Sequence, residues 1–108
     1  MTTVRIVRKG NSIISIECEG HTGYGVEGED IVCAALSSVV QTGLLGLLHY
    51  VSGVEYERDD EAGYLKIKLP DNPDEAERHD ADLITGTMLL GISDLHEGFS
   101  DFIELEVK

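Results

Sequence analysis

Basic residues and cysteines are both scarce in this sequence of 108 residues. Eight Lys and Arg stand against 21 Asp and Glu, which gives a formal net charge of −13. A surface this acidic repels nucleic acid phosphates and anionic membranes, so we expect neither as a partner. Two cysteines do not make the disulfide framework of a small secreted domain, and we expect both thiols to be reduced in a cytoplasmic protein. The charge favours solubility and basic, Lys/Arg-rich polypeptide partners.

The sequence also lacks repeats, low-complexity linkers and a purely apolar segment of membrane-spanning length. Residues 1–10 carry charge and have no long apolar centre, so no signal peptide is expected. The most apolar run, 31–51, follows two acidic residues and is interrupted by polar side chains such as Gln41 and His49. We therefore expect a buried helix there. Because 42% of the residues are hydrophobic, the chain can form a core, and a single domain over 1–108 is expected.

Alternating and helical patterns follow one another in the order ββαββαβ. Strands are predicted at 4–9, 13–18, 54–58, 64–69 and 102–107. Helices are predicted over 31–50, with Asp30 as the N-cap, and from Asn72, as the N-cap before Pro73, to about Gly98. The two hairpins predict an α/β sandwich of the α+β kind, with a mostly antiparallel sheet and both helices packed against it. The first helix, apolar around most of its surface, is expected at the centre.

Cys33 combines a reactive side chain with a position near the start of a helix, the third helical position if Asp30 is the N-cap. Free N–H groups and the helix dipole stabilise a thiolate there, which favours a nucleophile. A buried structural cysteine is the alternative. Cys18, predicted to share the buried face of its strand with Ile14 and Ile16, is expected to be a small core residue.

His21 lies twelve residues before Cys33, at the end of the second predicted strand. His21 lies in the segment 19–29, which holds four glycines, and a loop of this kind can bring the imidazole back to the sulfur. Such a pair is a nucleophile with its general base. Asp30 either caps the helix or orients His21 as a third group. Ser37, one turn after Cys33, either lines the site or permits a close helix contact.

The segment 23–28 matches the G-x-G-x-x-G pattern of dinucleotide sites, between a strand and a helix. However, Glu27, Glu29 and Asp30 would place negative charge where the pyrophosphate binds, and the strands form hairpins. A nucleotide site is therefore not expected. His and Cys do not occur at the spacings typical of metal sites, so no metal or other cofactor is expected.

The segment Gly20-His21, followed by Gly28-Glu29-Asp30-Ile31-Val32-Cys33-Ala34-Ala35-Leu36-Ser37, resembles the ribosomal-processing cysteine proteases of the Prp family. The resemblance extends over the whole chain. It implies a homodimeric bacterial endopeptidase that removes the N-terminal extension of a large-subunit ribosomal protein, cutting after a pair of phenylalanines. It puts the nucleophile at Cys33, the base at His21, and supporting groups at Asp30 and Ser37. It also implies a loop that covers the substrate, with the residues Gly20, Thr22, Gly23, Tyr24, Gly25 and Gly28.

A non-enzymatic dimeric binding module, such as a ribosome-assembly partner, is the alternative function. In that case Cys33 belongs to the core and the glycine-rich loop holds a peptide. The reactivity of the Cys33 thiol toward iodoacetamide separates the two hypotheses. Three residues of the first helix, Ala34, Ser38 and Gln41, are the candidate dimer contacts.

Overall fold

The computed structural model describes residues 1–20 and 29–108, without the side chains of Glu29 and Asp30. Within these ranges the elements are β1 (Thr2–Lys9), β2 (Ser12–Gly20), α1 (Glu29–Tyr50), β3 (Glu55–Asp59), β4 (Tyr64–Lys68), α2 (Glu75–Gly98) and β5 (Ile103–Val107). The predicted order ββαββαβ is confirmed.

The strands form one five-stranded sheet in the order β3-β4-β2-β1-β5. The pairs β1–β2, β2–β4 and β3–β4 are antiparallel, and β5 runs parallel to β1. A parallel neighbour needs a crossover connection, and α2 supplies it between β4 at one side of the sheet and β5 at the opposite edge. The prediction of an α+β domain with a mostly antiparallel sheet is confirmed.

Both helices pack on one face of this sheet. Val4, Ile6 and Ile16 of the strands are fully buried in the same cluster as Leu47 of α1 and Ile92 of α2. Burying an aliphatic side chain of this size stabilises the fold by roughly 1.5–3 kcal/mol. The domain therefore has two layers, with its core between the sheet and the helix pair.

A β-bulge interrupts the β1–β2 pairing. Val7 pairs with Ser15, but the next residue, Arg8, pairs with Ile13. The extra residue, Ile14, is 37% exposed, whereas Ile13 and Ile16 are buried. The prediction that Ile14 shares the buried face with Ile16 is therefore wrong, because one inserted residue reverses the alternation on which it rested.

Both helices begin at residues other than those predicted. The described part of helix α1 begins at Glu29, so Asp30 lies within the helix and is not the N-cap. Aspartate is favoured both at the N-cap and in the first turn, so the residue type alone does not locate the first helical residue. In α2 the N-cap is Asp74, not Asn72: its carboxylate accepts a hydrogen bond from the Glu77 N–H at 2.8 Å.

One side of α1 faces away from the core. Ile31, Leu45 and Tyr50 are 74%, 68% and 61% exposed, so the prediction that α1 is enclosed at the centre of the domain is wrong for the single chain. The range Ile31–Tyr50 has a mean hydropathy of 2.0, sufficient by length and composition for a membrane span, but core helices of soluble proteins pass the same test. The opposite side of α1, including Val40 and Leu47, packs in the core.

Candidate active site

Cys33 is the fifth residue of α1 and is 3% exposed. Its Sγ lies 3.0 Å from the Thr2 Oγ1 at the start of β1. The Cα–Cβ bond of a helical residue tilts toward the helix N-terminus, so the sulfur lies toward the first turn, whose N–H groups have no intrahelical acceptor. Cys33 thus lies near the described start of α1, in agreement with the predicted position near a helix N-terminus.

A pocket with a cavity volume of about 190 Å³ opens beside Cys33. This volume is below the roughly 300–1,000 Å³ of sites for drug-sized ligands. Helix α1, the ends of β1 and β2, and the β3–β4 hairpin form its walls, through residues that include Thr2, Cys18, Gly20, Cys33, Ser37, Gln41, Asp59 and Tyr64. Cys33 is thus almost fully buried and yet lines a cleft, as a nucleophile requires.

The β3–β4 hairpin gives the pocket a polar wall. The Arg58 Nε lies 2.6 Å from the Asp60 Oδ1, and the Asp59 carboxylate accepts a hydrogen bond from the Ala62 N–H at 3.2 Å. The Tyr64 hydroxyl donates to Glu17 at 2.8 Å, a bond that raises the pKa of Tyr64 to about 12. The first two contacts lie within the hairpin, and the third joins the hairpin to β2.

Sequence patterns did not identify this hairpin as part of the site. The hairpin lies beside α1 only because β4 pairs with β2, with Leu65 opposite Cys18. Strand pairing of this kind depends on the whole sheet, and a local motif does not report it.

Cys18 lines the same pocket but differs from Cys33 in its chemistry. Burial, with a smaller contribution from the Glu17 charge, raises the pKa of the Cys18 thiol to about 12. Cys18 is therefore protonated at neutral pH, and its side chain packs against the core as predicted. In residues 1–20 and 29–108 no group of three or more His, Cys, Asp and Glu side chains is arranged to hold a metal ion.

The structure brings Gly20 and Ser37 together with Cys33 at the pocket. His21 lies outside the described residues, as do the loop residues Thr22, Gly23, Tyr24, Gly25 and Gly28 and the side chain of Asp30. In the sequence His21 follows Gly20 directly. The roles of His21 and Asp30 stay predictions.

In this fold a cysteine lines a pocket near the start of a helix. Together the fold and this arrangement indicate a cysteine-dependent hydrolase. The chain belongs to the family described as cysteine protease Prp, whose sequence profile matches residues 1–104. It is 34% identical over 115 residues to the ribosomal processing cysteine protease Prp of Staphylococcus aureus strain Mu50, and the match covers 100% of both chains.

Solved structures agree with this assignment. The structure of the S. aureus ribosomal processing protease Prp in complex with a substrate peptide has a TM-score of 0.87 and 27% identity, with 100% of both chains covered. A second structure of that protease, with a covalently linked product peptide, has a TM-score of 0.81, again at 27% identity and 100% coverage of both chains. The predicted family is therefore confirmed, and the chain is a cysteine protease.

Proposed function

We propose that this chain is an endopeptidase that removes the N-terminal extension of a bacterial large-subunit ribosomal protein, with Cys33 as nucleophile and His21 as general base. The observation that carries the proposal is the position of Cys33 on the wall of a pocket that Gly20, the residue before His21, also lines. The similar proteins of S. aureus and Bacillus subtilis are ribosomal processing cysteine proteases, and this similarity supports the reaction class.

In the proposed mechanism the Cys33 thiolate attacks the carbonyl carbon of the scissile peptide bond. The N–H groups of residues 29–32 in the first turn of α1 are candidate donors to the oxyanion. His21, having taken the thiol proton, gives it to the leaving amine as the C–N bond breaks. Water then hydrolyses the thioester, which restores the thiol and releases the extension with a free carboxyl group.

Charge supports a basic polypeptide as the substrate. The chain has a net charge of −13, and the pocket wall carries the carboxylates of Asp59 and Asp60 beside the guanidinium of Arg58. Complementary charge accelerates the encounter of two proteins, and salt screens it. We therefore expect kcat/KM for a ribosomal protein substrate to fall as the ionic strength rises. Since ribosomes are assembled in the cytoplasm, we propose that compartment for this chain.

The test is incubation of the purified chain with an N-terminally extended large-subunit ribosomal protein, with the products identified by mass spectrometry. Cys33→Ala should lower the rate by about a thousandfold or more, and His21→Ala by about a hundredfold or more. His79→Ala is the matched control for His21→Ala, because its side chain is 75% exposed and lies on α2. Equal cleavage by wild type and Cys33→Ala would remove the nucleophile assignment.

If the chain is a non-enzymatic binding module, the same assay should show no cleavage. A folded wild-type chain that binds the extended protein without cleaving it would favour that alternative. Membership of a protease family supports the hydrolase.

We also propose that the active form is a homodimer. An apolar groove with a cavity volume of about 650 Å³ runs between α1 and α2, and its walls include Val39, Tyr50 and Leu83. Tyr50 and Leu83 are 61% and 62% exposed in the single chain, and an apolar surface of this kind is typical of an interface. Of the predicted dimer contacts, Ser38 lines this groove, whereas Gln41 lines the pocket beside Cys33.

Light scattering after size exclusion tests the homodimer. Leu83→Asp should convert a dimer to a monomer, and Tyr56→Asp, which changes a side chain 50% exposed on β3, is the control that should not. A wild-type monomer at high concentration would contradict the proposal.

A further inference from the structure

We propose that Thr2 is a positioning residue for Cys33, whose hydroxyl fixes the sulfur and donates a hydrogen bond to the thiolate. The inference rests on the proposed role of Cys33 as the nucleophile. Its basis is the distance of 3.0 Å between the Thr2 Oγ1 and the Cys33 Sγ, two atoms whose residues are separated by 31 positions in the chain. The two residues are 8% and 3% exposed, so water competes little for this contact.

The Thr2 hydroxyl is held by the sheet before any substrate arrives. Thr2 pairs with Gly20 of β2 on one side and with Ile103 of β5 on the other. Its N–H donates to the Phe102 carbonyl at 2.9 Å. A β-branched side chain has few accessible χ1 rotamers, so a fixed backbone at Thr2 also fixes the direction of the hydroxyl.

Glycine at position 20 makes this arrangement possible. A β-carbon there would lie 2.7 Å from the Thr2 Cα and 3.1 Å from its Oγ1. Any larger residue would push β1 away or turn the hydroxyl from the sulfur.

The chemistry of the contact favours the reactive form of Cys33. A hydroxyl has one donor and two acceptors, so it can accept from a thiol or donate to a thiolate. A hydrogen bond to an ionised group is roughly twice as strong as one between neutral groups. When the thiol loses its proton to His21, Thr2 keeps its own proton and turns it toward the sulfur. The bond therefore stabilises the thiolate more than the thiol.

Alkylation of Cys33 by iodoacetamide, measured by mass spectrometry across a range of pH, tests the proposal independently of proteolysis. Thr2→Val keeps the shape and removes the hydroxyl, and we expect a rate about five- to tenfold lower at neutral pH, with the rate–pH curve displaced to higher pH. Thr2→Ser restores the hydroxyl and should alkylate within about twofold of wild type. Thr3→Val, the next residue on β1 with its side chain toward the other face of the sheet, should behave as wild type.

Thermal melts accompany each variant, so that a loss of folding is recognised. If Thr2→Val does not fold, Thr2→Ala takes its place in the comparison with Thr2→Ser. Equal alkylation of Thr2→Val and Thr2→Ser, or a wild-type Cys33 that stays unmodified at alkaline pH, would overturn the role of Thr2. A wild type that is alkylated at Cys33 but does not cleave the extended ribosomal protein would instead overturn the proposed processing function and leave the effect of Thr2 on the Cys33 thiol standing.

Discussion

Met88 of α2 lies against Gly43 of α1 where the two helices cross, so closely that a β-carbon at position 43 would overlap the Met88 sulfur. Met88 is 3% exposed and has little space to move. Overpacking of this kind costs typically about 1–3 kcal/mol, so Gly43→Ala should lower the free energy of unfolding by that amount. Urea denaturation measures it.

A second variant separates overpacking from an effect of alanine on α1 itself. Met88→Ala removes the side chain that Gly43→Ala would meet, so the two substitutions together should cost less than the sum of their separate costs. Gly86→Ala, where a β-carbon would meet nothing within 4 Å, should be neutral or stabilising by up to about 1 kcal/mol. If the stability losses of Gly43→Ala and Met88→Ala are additive in the double variant, the contact between the two residues is contradicted.

Gly20→Ala should be more damaging than a glycine substitution where the added β-carbon has open space. Gly20 has a φ of +156°, and a β-carbon there would lie 2.6 Å from the Met1 carbonyl oxygen. Because backbone atoms are involved, β1 itself must shift, and we expect a loss of about 1–3 kcal/mol in the free energy of unfolding. Gly98→Ala, with open space around it, is the control. If the two variants are equally stable, β1 can shift without a loss in the free energy of unfolding.

Acid should destabilise the protein through the charged side chains on the sheet face that lies opposite the helices. The Arg5 guanidinium donates to Glu17 at 2.8 Å and to Glu19 at 3.0 Å. The bond from Arg5, followed by the one from Tyr64, lowers the pKa of Glu17 below its usual 4.5. A carboxylate whose pKa is lowered by folding stabilises the fold above its unfolded pKa, and this contribution is lost as the pH falls through the folded pKa.

Glu17→Gln should therefore reduce the loss of stability between neutral pH and about pH 3, measured by urea denaturation at each pH. Glu61→Gln, which removes a carboxylate from the exposed β3–β4 turn, is the matched control and should follow the wild-type curve. Parallel curves for wild type and Glu17→Gln would refute the contribution of the Arg5 contact.

The two thiols should differ in reactivity although both line one pocket. Cys18, with a pKa of about 12, should stay unmodified by iodoacetamide at neutral pH, because the thiolate is the reactive form. Cys33, as the proposed nucleophile, should be modified under the same conditions. Peptide mapping after a timed reaction measures both in one sample. Faster modification of Cys18 would contradict the assignment.

Local patterns were sufficient to predict the order and type of the elements, because alternation and helical spacing each depend on neighbouring residues. The exact ends of the helices and the irregularities within the strands were harder to predict. Asp30 and Asn72 are both good capping residues, and neither is the N-cap. Ile14 is apolar in an apolar strand, and only the pairing of β1 with β2 shows that it is the bulged residue.

The site residues likewise differ in whether the local sequence predicts their position. Cys33 and Ser37 are one helical turn apart, so their common place on the pocket could be predicted from α1 alone. The place of Thr2 at the site could not be predicted from local sequence, since its contact with Cys33 depends on the register of the sheet and on how α1 packs on it. The resemblance to a protease family supplied the chemical specificity that a cysteine and a histidine do not carry by themselves.

Ser37 and Ser38 are adjacent on α1, yet the first lines the pocket of Cys33 and the second lines the apolar groove. A single helix therefore separates the two cavities, with one on each side. The groove is the proposed dimer interface, so a partner chain bound there would contact the side of α1 that is opposite the peptide. An apolar compound that fits between the two helices would have to compete with that partner, and not with the peptide.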